Sequence, residues 1–166
     1  AAATFLYKLS TEPDTAYAEE VPTAPGTYKV MAVIPETDMY LGTSCEATFT
    51  ISKTPITATV SVVDIEIGDE IDPVVETDPE TYDGTEITYA FKRSDVAGAQ
   101  FSTTVPTASG NYIIQVTLPE TDAYLGTTCT ATFKINKLEA VATVAVEDIY
   151  VGETPDHVAT SVSDGK

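Results

Sequence analysis

An all-β fold of the β-sandwich class is predicted by three features of this chain. Apolar and polar residues alternate with a period of two in several short runs, the pattern of strands that bury one face. Turn-forming residues separate those runs. A block of sequence is also copied along the chain at an offset of 84 residues. Composition agrees: Thr and Val are abundant, Trp is absent, and the helix formers Lys, Arg and Gln are scarce.

The copied block sets the frame. Val21-Pro22-Thr23-Ala24 returns as Val105-Pro106-Thr107-Ala108, Gly26 as Gly110 and Tyr28 as Tyr112. Pro35-Glu36-Thr37-Asp38 returns as Pro119-Glu120-Thr121-Asp122, and Tyr40-Leu41-Gly42-Thr43 as Tyr124-Leu125-Gly126-Thr127. Cys45, Phe49 and Lys53 return as Cys129, Phe133 and Lys137 without a gap. Weaker flanks keep the offset, with Phe5, Tyr7 and Lys8 matching Tyr89, Phe91 and Lys92. Val60, Asp64, Ile65 and Gly68 match Val144, Asp148, Ile149 and Gly152.

Taken in chain order, Ile56, Ala58, Val60 and Val62 alternate with Thr57, Thr59 and Ser61. Ile87, Tyr89 and Phe91 alternate with Thr88, Ala90 and Lys92. Tyr112, Ile114, Val116 and Leu118 form a third run, and Cys129, Ala131, Phe133 and Ile135 a fourth. Asp78-Pro79, Asp83-Gly84, Ser109-Gly110 and Gly126 supply the turns. Six or seven such strands in one unit, with no helical period, predict two stacked sheets.

The pattern Tyr82-Asp83-Gly84, Pro106-Thr107-Ala108 before Gly110 and Tyr112, then Asp122, Tyr124 and Gly126, then Phe133, Ile135 and Lys137 resembles bacterial immunoglobulin-like surface-protein repeats of the MBG type and related groups. The first copy carries the same pattern from Pro22 to Lys53. The resemblance implies tandem immunoglobulin-like sandwiches, and a unit that ends on the Phe-x-Ile-x-Lys strand. On that phase residues 54–137 form one complete repeat. Residues 1–53 are the C-terminal part of another, and residues 138–166 the N-terminal strands of a third. The two partial repeats are complementary. Either the phase is a fragment boundary, or residues 138–166 of one chain complete the sandwich opened by residues 1–53 of a neighbour, because unpaired edges and an apolar face invite a matching strand.

The formal net charge of −18 repels nucleic-acid phosphates and anionic membranes. No apolar run is long enough to span a bilayer as a helix. Catalysis finds little footing. His157 is the only histidine, and nucleophile elbows, paired zinc histidines and phosphate loops are missing. Leu118-Pro119-Glu120-Thr121 starts like a sorting signal, but Asp122 follows, so it reads as a strand end and turn.

Loop carboxylates can gather calcium, which takes oxygen ligands in flexible geometry. Glu36 and Asp38, with Glu120 and Asp122, are weak candidates for it, against the plainer reading of solvated acidic loops. Asp64, Glu66, Asp69, Glu70 and Asp72 form a second acidic cluster. No other cofactor is expected. Cys45 and Cys129 are read as small buried hydrophobes. Lys8, Lys53, Lys92 and Lys137 recur at matching places, so one of them is a candidate for burial, as a self-formed isopeptide bond requires. Asn111 and Asn136 are the only asparagines that could partner such a lysine, and neither has an asparagine counterpart in the first copy.

The expected role is a structural stalk or spacer of an extracellular bacterial surface or secreted protein, or a fibre subunit joined head to tail. Its partners are then neighbouring repeats or other copies of itself. The alternative is an adhesive module that recognises a host protein or glycan through loops such as residues 9–20 and 93–104, the most divergent pair.

Overall fold

The structure, a computed structural model, describes residues 2–162. Every regular element among them is a strand except one short 3-10 turn, Asp14–Ala16. The fold is all-β and built from several antiparallel sheets, compatible with a β-sandwich. In chain order the strands are β1 (Thr4–Leu9), β2 (Gly26–Ile34), β3 (Thr43–Ile51), β4 (Thr57–Ser61), β5 (Ile65–Glu66) and β6 (Val74–Asp78). They continue as β7 (Thr88–Arg93), β8 (Gly110–Leu118), β9 (Thr127–Asn136), β10 (Ala142–Val146) and β11 (His157–Ser161).

The strand bounds carry the sequence offset. β1, β2 and β3 shifted by 84 residues fall on β7, β8 and β9, with β9 one residue longer. Order within the sheets agrees, β1-β2-β3 in one and β5-β9-β8-β7 in the other. The two-stranded sheets β4–β6 and β10–β11 also share a register. Ala58, Thr59 and Val60 face Thr77, Glu76 and Val75. Their counterparts Ala142, Thr143 and Val144 face Ser161, Thr160 and Ala159.

Contacts group the chain into two compact units. The first comprises Ala1–Ser61, Val74–Tyr89 and Gln115–Thr130, and the second Val62–Pro73, Ala90–Ile114 and Ala131–Lys166. The first holds the β1-β2-β3 and β4–β6 sheets, and the second holds β5 and the β10–β11 pair. β7, β8 and β9 contribute residues to both.

Period-two patterning positions the core. On β8, Ile114, Val116 and Leu118 are 0, 0 and 1% exposed. On β9, Phe133 and Ile135 are buried while Thr132 and Lys134 between them face solvent. Each such apolar side chain contributes about 1.5–3 kcal/mol by leaving water. Phe133 stacks on Tyr112 with centroids 5.6 Å apart and meets Phe91 edge-on at 6.3 Å. Phe49 repeats both contacts, with Tyr28 at 5.7 Å and Tyr7 at 6.3 Å. Aromatic pairs of this geometry add about 0.5–1.5 kcal/mol beyond area burial. Tyr112 and Tyr28 each donate their hydroxyl to the carbonyl four residues upstream, Ala108 and Ala24, at 2.9 Å.

The two copies differ in cover. Val30 and Ala32 on β2 are only half-buried, and Ile34 is 42% exposed, where Ile114, Val116 and Leu118 are sealed. β4 and β6 each alternate half-buried with exposed residues, whereas every residue of β10 and β11 is exposed.

Turn chemistry explains two glycines. Gly68 and Gly152 have φ of 101° and 96°, the third position of a type II turn. In each, a first-residue N–H is bound by the fourth residue's carboxylate, Glu66 by Asp69 at 2.9 Å and Tyr150 by Glu153 at 2.8 Å.

Candidate functional site

The clearest built site is the joint at Lys53-Thr54, inside the first unit. It is made by the Pro119–Gly126 loop that follows β8. Thr121 shapes the loop: its N–H donates to the Tyr124 carbonyl at 3.0 Å, and its Oγ1 accepts from the Tyr124 N–H at 3.1 Å. Gly126 permits the close approach at its base, because a Cβ there would lie 2.8 Å from both the Glu120 nitrogen and the Leu118 carbonyl oxygen.

This loop grips the chain on both sides. The Thr54 N–H donates to the Ala123 carbonyl at 2.8 Å, and the Leu125 N–H donates to the Thr54 carbonyl at 2.9 Å. That is a parallel bridge between Thr54 and Tyr124. Lys53 Nζ donates to Glu120 Oε1 and to the Thr121 carbonyl, each at 2.6 Å. Tyr82 closes the far side: its hydroxyl donates to the Pro119 carbonyl at 2.6 Å and its ring meets Tyr124 edge-on at 5.8 Å. Burial pushes the Tyr82 hydroxyl pKa up. The ion pair is partly exposed, so it contributes about 0–1 kcal/mol. The backbone bridge, shielded by two tyrosines, fixes the direction in which the chain leaves β3.

The same loop exists in the first copy. Thr37 donates to the Tyr40 carbonyl at 2.9 Å, and its Oγ1 accepts from the Tyr40 N–H at 3.2 Å. Its apolar residues lie open: Leu41 is 83% exposed, against 44% for Leu125. Met39 and Tyr40 are exposed beside it.

The acidic residues weighed for calcium take other roles. Glu120 is held by Lys53. Glu36, Asp38 and Asp122 are exposed. Among the described residues no group of three or more His, Cys, Asp or Glu is arranged to hold a metal ion. In the second acidic cluster, Asp64 accepts from the Lys134 N–H at 2.8 Å. It thereby pins β5, which adds to β9 in parallel through Ile65–Ile135 and Glu66–Asn136.

One expectation for the thiols is corrected. Cys129 is half-buried and burial raises its pKa, but Cys45 is exposed, and both are free. Both occupy the same position on a strand; what differs is the cover over that face. Of the recurring lysines, Lys8 is the buried one, at 6% exposure. Its Nζ donates to the Glu12 carbonyl at 2.7 Å and to Asp14 Oδ1 at 2.8 Å, which holds the Asp14 carboxyl below its ordinary range. The Asp14 side chain is itself largely in solvent, which does not give the sheltered amide chemistry of an isopeptide bond. Lys137 is exposed. Asn136 sits in the β5–β9 ladder and Asn111 on β8, with its carbonyl accepting from Ser94 at 2.9 Å.

The divergent loops share anchors that sequence reading missed. Tyr7 exchanges backbone hydrogen bonds with Ala18 at 2.7 and 2.9 Å, and Phe91 does so with Ser102 at 2.7 and 2.9 Å. Lys8 lies over the Tyr17 ring at 5.2 Å and Lys92 over the Phe101 ring at 4.5 Å. A conserved lysine–aromatic spacing was the available signal, hidden because the aromatic changes from Tyr to Phe. In the 93–104 loop, Arg93 clasps Asp95 at 2.7 Å and holds its carboxyl low. His157 lies exposed on β11.

No helix among the described residues is long and apolar enough to cross a membrane. No family model matches the chain, and no curated protein or solved structure matches it either.

Proposed function

We propose that this chain is a structural spacer of an extracellular bacterial surface protein, built from tandem immunoglobulin-like sandwiches held end to end. The observation that carries this reading is the grip of the Pro119–Gly126 loop on Lys53-Thr54. A spacer must resist bending, and a chain clamped by a two-bond bridge as it leaves one repeat and enters the next loses most of its freedom at that joint. Pro55 adds a fixed φ immediately after. The recurring strand bounds, and the tyrosine hydroxyls bonded to an upstream carbonyl as in immunoglobulin corners, support the sandwich reading.

Spin labels at Thr48 and Thr59, with Cys45 and Cys129 replaced by Ser and the labelled chain diluted in unlabelled chain, test the joint. A narrow distance distribution that broadens in the Lys53→Ala, Glu120→Ala double variant supports the spacer. A distribution already broad in the parent chain sinks it.

The adhesive reading draws support from one feature: the 9–20 and 93–104 loops are pinned at their bases by the same bonds while their other residues differ. Such loops present variable chemistry on a fixed frame. Binding to a glycan or matrix-protein array, lost on exchanging residues 94–100, would favour it.

A further inference from the structure

We infer that the open face of the β1-β2-β3 sheet, together with the Pro35–Gly42 loop, is a docking surface for the Lys137–Val162 segment of a second copy of this chain. The inference rests on reading the repeats as sandwiches and deepens it by naming partner and register.

Three observations fit this one occupant. The first is the joint. The 36–42 loop has the hydrogen-bonded shape of the 120–126 loop but exposes Met39, Tyr40 and Leu41. What that shape holds elsewhere is a Lys-Thr pair. Lys137-Leu138 stands 84 residues after Lys53-Thr54, and both residues are exposed. Seated in the same way, Lys137 pairs with Glu36, and Leu138 bridges Tyr40 beside the exposed Leu41. The charges are complementary, as in Lys53–Glu120.

The second observation is the sheet pair. β10–β11 keeps the register of β4–β6, and Val144, the counterpart of half-buried Val60, is 71% exposed. The open face that would receive it carries Val30, Ala32 and Ile34. The third is the edge of β3. In the complete copy Ile65–Glu66 adds in parallel to Ile135–Asn136, with Asp64 taking the Lys134 N–H. Shifted by 84, Ile149 and Tyr150 face Ile51 and Ser52, and Asp148 takes the Thr50 N–H. The type II turn that follows, Tyr150 to Glu153, is already formed.

Such a contact uses different surfaces on the two partners, so it does not close and yields head-to-tail chains. Association is measured by light scattering after size-exclusion chromatography, over a broad concentration range. The parent chain is expected to gain mass steadily with concentration. Val144→Asp, a change at an exposed position, is expected to leave a folded monomer. Glu36→Lys and Lys137→Glu each place like charges across the contact and weaken self-association about tenfold. Mixing these two variants restores it, because every contact between unlike chains again joins Lys to Glu. A parent chain that stays monomeric throughout, or single variants that associate like the parent, or a mixture no stronger than its components, overturns the inference. A stiff Lys53 joint in a monomeric chain leaves the spacer reading standing and removes only this contact. A flexible joint in an associating chain does the reverse.

Discussion

Leu118→Ala and Ile34→Ala make closely similar truncations at positions 84 residues apart, each ending the second strand of its sheet. Their costs are expected to differ about threefold. Leu118 is 1% exposed, so truncation removes a sealed side chain and leaves a cavity. Substitutions of this kind cost about 2–5 kcal/mol, and about 3 is expected here. Ile34 is 42% exposed in the same strand position. Water refills the space it vacates, so no cavity term arises, and only part of its transfer free energy is lost. About 1 kcal/mol is expected. Urea unfolding followed by far-ultraviolet circular dichroism, with the chain dilute enough to suppress association, gives both values. Equal costs, or a larger cost at Ile34, would show that the two sheets are covered alike and refute the reasoning.

Further consequences follow from single contacts. Gly126→Ala forces a Cβ to within 2.8 Å of backbone atoms in the joint loop and is expected to destabilise by about 1–3 kcal/mol in thermal unfolding; Gly42→Ala, with nearest approaches of 3.0 and 3.2 Å, costs less. Gly68→Ala meets no neighbour but must hold φ near 101°, so a cost of about 1–2 kcal/mol is expected from backbone strain alone. Iodoacetamide is expected to alkylate exposed Cys45 well before Cys129, whose burial and raised pKa both slow reaction, as peptide mass mapping would show. Because Lys8 depresses the Asp14 pKa in the folded chain, the stability this contact adds is present above the unfolded carboxylate pKa and is lost as pH falls through the lower folded value. A carbon-detected titration placing the Asp14 midpoint at or above the ordinary Asp value would contradict that contact.

Much of the framework was legible because strand patterning is local. Cys129 to Ile135 alternates cleanly and lies in β9, and Tyr112 to Leu118 lies in β8. The offset carried β1 to β3 as well, although their faces are poorly covered. Burial was not legible to the same degree. Cys45 and Cys129 have the same neighbours in sequence, yet one is exposed, since burial depends on what lies across the face rather than on the strand itself. The joint was half visible. Lys53 stood out as a recurring lysine and Glu120 as a loop carboxylate, but their pairing spans 67 residues and needed coordinates. β5 was hidden for another reason. It is two residues long, set by the Asp64 hydrogen bond and the Gly68 turn, and too short for any period to reveal.

Residue-resolved hydrogen exchange at low and high chain concentration probes the proposed cover most directly. In dilute solution the amides of Val30–Ile34 and Phe49–Ser52 are expected to exchange far faster than those of Ile114–Leu118 and Phe133–Asn136, and to approach them as concentration rises. Matching protection of both sets in dilute solution, or a gap that persists at every concentration, would contradict the account.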